Sequence, residues 1–104
     1  MLMHIEFGRS GGFAGLRLTG SFDLQNLPSD QGSALGKLVE EAGFFNLPEQ
    51  IKPPSPIPDQ FEYRVVVTSD VTTHSVVVAE SVLPDRLRPL VDYLTKLATL
   101  SKMR

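Results

Sequence analysis

The sequence predicts an α+β fold: a four-stranded, mainly antiparallel sheet with two helices packed on one face, in the element order ββαββα. Three observations carry this. Apolar residues alternate with polar ones in two pairs of short runs, apolar residues recur at helical spacing in two longer segments, and glycine-rich or polar turns join the paired runs. The 104 residues are expected to form one domain, 1–104, of a size that buries roughly two-thirds of its unfolded surface.

The first strand sets Met3, Ile5 and Phe7 on one side and His4 and Glu6 on the other. After the stretch GRSGGFAG, Gly8 to Gly15, Ala14, Leu16 and Leu18 alternate with Gly15, Arg17 and Thr19. A second strand follows, and the glycine loop is the tip of a hairpin. From about Pro28 to Ala42, Leu35, Leu38, Val39 and Ala42 share one helical face, with Lys37, Glu40 and Glu41 turned outward. Gly43 suits a left-handed C-terminal cap. The proline-dense PEQIKPPSPIPDQ that follows can be neither a helix nor a central strand. Phe44 and Phe45 just before it predict a loop anchored on the core.

Phe61, Tyr63, Val65 and Val67 then alternate with Glu62, Arg64 and Thr68, and His74, Val76 and Val78 form a matching run beyond a polar turn at Ser69 to Thr72. This is a second hairpin. From Pro84 onward, Leu87, Leu90, Val91, Leu94, Leu97 and Ala98 form the stripe of a second helix, in which Pro89 must occupy the first turn or introduce a kink. If the first helix spans the sheet, the first hairpin tip, the proline-rich loop and the start of the second helix share one end. Strand order stays open between 2-1-3-4, fully antiparallel, and 1-2-3-4, with one parallel pair.

Composition excludes several functions. Ten Lys and Arg against twelve Asp and Glu give a net charge of -2, so the electropositive field that nucleic acid or an anionic membrane requires is absent, and neither is an expected partner. No cysteine is present, which rules out a disulfide framework and a thiolate zinc site and fits a reducing compartment. His4 and Glu6 interrupt what would be the apolar core of a signal peptide, so a cytoplasmic location with no membrane span is expected.

The two histidines, His4 and His74, stand far apart and read as surface or hydrogen-bonded strand residues, so neither a metal nor a cofactor is expected. Asp59, Glu62, Glu80 and Asp85 show no acid–base spacing, and no nucleophile elbow, phosphate loop or dinucleotide fingerprint occurs. No catalytic residue is expected, and the chain reads as a non-enzyme. Pro53 and Pro56, at PxxP spacing, read as part of a stiff connection rather than a polyproline ligand.

The glycine loop is the remaining signal. Extending the alternation of Leu16 and Leu18 backward places Phe13 on the exposed side with Arg17. A displayed aromatic on a hairpin is an anchor for a partner's pocket. Gly11 and Gly12 tolerate turn dihedrals and the approach of another backbone, and Arg9 and Arg17 offer charge-assisted hydrogen bonds. The same composition also serves a plain glycine turn with Phe13 folded onto the core.

The segments FGRSGGFAGLRLT, FFNLP, DQFEYRVVV, HSVVV and LPDRLRPLVDYL, in this order over most of the chain, resemble the emfourin family of protein inhibitors of thermolysin-like zinc metallopeptidases. The resemblance implies a small cytoplasmic bacterial protein, monomeric when free, that reversibly blocks the active-site cleft of a thermolysin-like metalloprotease. It implies partner-binding residues in the matching hairpin: Arg9, Ser10, Gly11, Gly12, Phe13 and Ala14. On this hypothesis the tip lies in the cleft like a substrate strand, with Phe13 in the pocket that follows the scissile bond. The loop carries no histidine, cysteine or carboxylate, so strong chelation of the enzyme's zinc is not expected. The alternative is a non-inhibitory protein–protein interaction or regulatory module using the same loop edge.

Overall fold

Alternation along each strand decides which side chains meet the helices. The computed structural model describes residues 2–12, 17–55 and 57–102. Its strands are β1 (Met3–Gly11), β2 (Leu18–Asp23), β3 (Gln50–Ile51), β4 (Phe61–Ser69) and β5 (Thr73–Ala79), and its helices are α1 (Ser29–Glu41) and α2 (Arg88–Lys102). Single 3-10 turns at Leu24–Asn26, Phe44–Asn46 and Glu80–Val82 join some of them. Ile5, Phe7, Leu18, Phe22, Val65, Val67, Val76 and Val78 are buried in one core with Leu35, Val39, Leu90, Val91 and Leu94 of the helices. Fully burying a side chain such as Leu90 or Leu94 contributes about 2 kcal/mol.

The sheet order is β2-β1-β4-β5-β3. The first four strands are antiparallel neighbours, the 2-1-3-4 alternative of the sequence reading, and β3 is parallel to β5. The expected four-stranded sheet is therefore corrected to a mixed five-stranded one, and the order ββαββα gains a strand between α1 and β4. Two residues are too few to show alternation. As an edge strand, β3 can lie next to prolines, and its pairing begins where Val77 N–H donates to Glu49 O at 2.8 Å.

One end of the sheet carries the first hairpin, with Gly11 opposite Phe61, and the far end has Met3 opposite Ser69. Helix α1 starts beside Leu24 at the far end, where Gly32 approaches so closely that a Cβ would stand 2.6 Å from Leu24 O. The helix stops at Gly43, whose φ is +59°, as the sequence suggested. Beyond it, Phe44 and Phe45 pack on His74 with ring centroids at 5.6 and 6.4 Å, and His74 Nε2 donates to Leu47 O at 2.7 Å. His74 pairs with Val67, close to the far end. Helix α1 thus crosses the far end instead of spanning the sheet, and the segment through β3 brings the chain back toward the hairpin end.

Helix α2 begins later than expected. The Pro84 carbonyl accepts from Leu87 N–H (3.0 Å) and Arg88 N–H (3.1 Å), and Pro89 falls in the first turn of the helix, where its missing N–H is harmless. The helix ends at the hairpin end, where Lys102 Nζ donates to Arg17 O at 3.4 Å.

Candidate functional site

The root of the first hairpin explains its glycines. Gly11 and Gly12 have φ values of +90° and +77°. A Cβ on Gly11 would stand 2.6 Å from Gln60 O, and one on Gly12 would stand 2.5 Å from Cε1 of Phe61. Gly12 N–H donates to Gln60 O at 3.3 Å. The close backbone approach that the sequence suggested is therefore made inside the chain, and these two residues fix the hairpin to the start of β4.

Arg9 belongs to the same root. Its guanidinium lies 4.4 Å from the Phe61 ring centroid, and its Nε is buried without a hydrogen-bond partner. The ring face supplies the favourable electrostatics that a hydrogen bond would otherwise give. Phe61 in turn leans on Tyr63, centroids 6.5 Å apart, and Tyr63 stacks on Phe7 at 6.3 Å. Ser10 points away from this stack, toward the helix-free face, where it is paired with Glu62. Phe13 and Ala14 lie outside the described residues, as do Gly15 and Leu16.

Gln60 gathers the three irregular segments. Its carbonyl holds Gly12, and its side-chain Oε1 accepts from Ser81 N–H at 3.0 Å. The hairpin root, the end of the proline-rich loop and the turn leading to α2 thus meet at one edge, as the sequence reading expected, although α1 does not supply the climb. Lys52 pairs with Glu62 at 3.5 Å across the loop. Next to Gln60, Asp59 has a φ of +63°, the one positive value at a non-glycine among the described residues. A recess of ≈ 420 Å³ between loop and sheet is lined by Lys52, Pro53, Pro54, Ile57 and Gln60, among others.

Tyr63 OH donates to Glu80 Oε2 at 3.4 Å. Burial first, then the Glu80 carboxylate, raise the Tyr63 pKa above its ordinary 10.0, with Arg9 pulling the other way. Of the four carboxylates singled out in the sequence, Glu62 faces Lys52 and Glu80 faces Tyr63.

On the helix-free face, His4 Nδ1–H donates to Asp23 at 2.5 Å and Ser21 donates to His4 Nε2 at 3.1 Å. The order of contacts is that of a hydrolase triad, which sequence reasoning did not foresee because cross-strand register brings the residues together. Glu6 also approaches Nε2, at 3.9 Å, and all four side chains stand on the facing strands β1 and β2. They act as a polar clasp between the two strands. Beside them a shallow groove of ≈ 480 Å³ has Gly8 on its floor and Arg17 and Arg64 on its walls. Among the described residues no group of three or more His, Cys, Asp or Glu could hold a metal ion, and no helix is long and apolar enough to cross a membrane.

The family model described as Emfourin matches residues 7–95, a span that includes the hairpin root, the proline-rich loop and most of α2. No curated protein matches the sequence. Among solved structures, the chain is similar to emfourin from Serratia proteamaculans, an M4 family peptidase inhibitor, with 22% identity and a TM-score of 0.47, covering 91% of this chain and 88% of that one.

Proposed function

Because this chain belongs to the emfourin family, with a match running over residues 7–95, we propose that it is a reversible protein inhibitor of a thermolysin-like zinc metalloprotease. The family assignment reads as a binding protein and not an enzyme. The first hairpin enters the active-site cleft in a substrate-like manner, with main-chain hydrogen bonds of the strand-addition type. Phe13 fills the apolar pocket beyond the scissile position, with Ser10 and Ala14 beside it. Arg9, Gly11 and Gly12 hold the loop in place. The protein acts as a monomer in the cytoplasm.

The observation that carries this reading is the locked hairpin root. Gly11 and Gly12 are fixed against Gln60 and Phe61, and Arg9 covers the ring. A loop held this way loses less conformational freedom on binding than a free peptide, and the retained free energy appears as affinity. Residues 8–15 contain no histidine, cysteine or carboxylate, so inhibition works by occupying the cleft and not by strong side-chain chelation.

The test is a titration against a thermolysin-like protease, read with a short peptide substrate, followed by a check that the hairpin is uncleaved. Stoichiometric loss of activity is expected. Phe13→Ala should weaken inhibition by about 2 kcal/mol, roughly thirtyfold, with the fold intact. An absence of inhibition across several such enzymes refutes the proposal. Complex formation without loss of activity would assign the same edge to a non-inhibitory interaction module.

A further inference from the structure

We propose that the proline-rich loop is a second prong of the same interface, and that Ile57 is its anchor, seated in an apolar recess of the protease beside the one that receives the hairpin tip. This rests on the inhibitor reading above.

Ile57 is 47% exposed. Among the described residues the other exposed large apolar side chains lie outside this loop: Leu2 and Val71 toward the far end, Phe45 beside His74, and Leu100 in the last turn of α2. Ile57 alone among them stands in the loop that meets the hairpin root. Displaying an isoleucine to water does nothing for the stability of the free chain, and described residues near it in the loop are constrained. Pro53, Pro54 and Pro58 each fix a backbone angle. Asp59 is held in the left-handed region at φ +63°, a conformation that costs a non-glycine residue about 1 kcal/mol or more and persists when its surroundings impose it. The flanks are tied down by Lys52 to Glu62 and by Gln60 to Gly12 and Ser81. A stiff, tied loop that presents one apolar side chain has the properties that reduce the entropy lost on binding.

Placement links the loop to the hairpin. Gln60 and Glu62 line the recess next to Ile57, and these residues are also the contacts of Gly12 and Ser10. Ile57 therefore stands beside the residues that hold the hairpin root. A protein that surrounds the hairpin tip is therefore in reach of Ile57 as well. The centre of the contact is apolar; on its rim Lys52 and Glu62 offset each other, while the exposed Asp59 adds a negative charge. The partner segment is accordingly a hydrophobic surface without acidic groups at the edge of the enzyme's cleft.

The experiment compares inhibition constants of the wild type, Ile57→Leu, Ile57→Asp and Phe13→Ala against one thermolysin-like protease, with thermal unfolding of each free variant. Ile57→Asp is expected to raise the inhibition constant at least about tenfold, and Ile57→Leu to stay within about threefold, with melting temperatures unchanged. A folded Ile57→Asp protein within about twofold of the wild type overturns the second prong while leaving the hairpin reading intact. A wild type that does not inhibit removes both. Amide exchange of the wild-type chain supplies a readout that no variant can confound. The Ile57 and Asp59 amides should be slowed in the complex, and unchanged exchange there also overturns the proposal.

Discussion

Replacing Gly11 by alanine adds a Cβ that would stand 2.6 Å from the Gln60 carbonyl oxygen, on a backbone with φ +90°. A backbone atom next to a paired strand cannot swing aside as a side-chain tip can. The positive φ alone costs an alanine about 1–2 kcal/mol, and losing the adjacent Gly12 N–H to Gln60 O bond adds about 1 kcal/mol. Reduced freedom of the unfolded chain returns about 0.7 kcal/mol. The net loss is about 1.3–2.3 kcal/mol before the cost of the steric contact is added. Gly8, in the same strand, is the control: an added Cβ there meets nothing within 4 Å, and replacing a strand glycine by alanine gains about 0.5 kcal/mol. Urea unfolding, with the slopes compared to confirm a common unfolded state, measures both. The expected result is opposite signs for one substitution at two sites of β1. If Gly11→Ala costs no more than Gly8→Ala, the hairpin root is not held by the contacts described.

Two further outcomes test the same edge. Arg9→Ala removes the guanidinium from Phe61 and should cost about 1 kcal/mol, seen as a fall of about 4–8 °C in melting temperature. An unchanged melting temperature would show that Arg9 does not pack the root. The raised pKa of Tyr63 means that the folded chain binds this proton more tightly than the unfolded one. Its contribution to stability is complete below pH 10 and is lost as pH rises through the folded pKa above it. Tyr63→Phe should therefore flatten the alkaline loss of stability, and an unchanged pH profile would contradict that assignment.

Both hairpins and both helices were legible because each is written in local periodicity: Ile5 and Phe7 against His4 and Glu6, or Leu90, Val91 and Leu94 on one stripe. The left-handed Gly43 was legible for the same reason, as a glycine at the end of a helical pattern. Strand β3 was not, since its pairing with Val77 and Val78 depends on a crossover and leaves no trace in residue alternation. The glycine signal of the candidate site was legible in the sequence, and the contacts around it were not. Glycines at 11 and 12 announce unusual dihedrals, but nothing local reveals that Gln60 and Phe61 are the groups that approach them. Arg9 read as a residue that offers charge-assisted hydrogen bonds, and nothing local shows that the register of β1 on β4 also brings it over Phe61. Ile57 lies in a segment that read as a loop anchored on the core and a stiff connection, with no signal that marks one of its side chains.

The closing turn of α2 lies against the hairpin root through Lys102 and Arg17, while Met3 is at the other end of the nine-residue β1, about 30 Å away. The choice of handle for any tethered measurement follows from this. A tag, dye or surface linker joined ahead of Met3 leaves the edge at the hairpin root, the proposed binding edge, uncovered. The same attachment after the last turn of α2 would crowd that edge, so a weak signal from a C-terminally immobilised protein would report the linker and not the affinity.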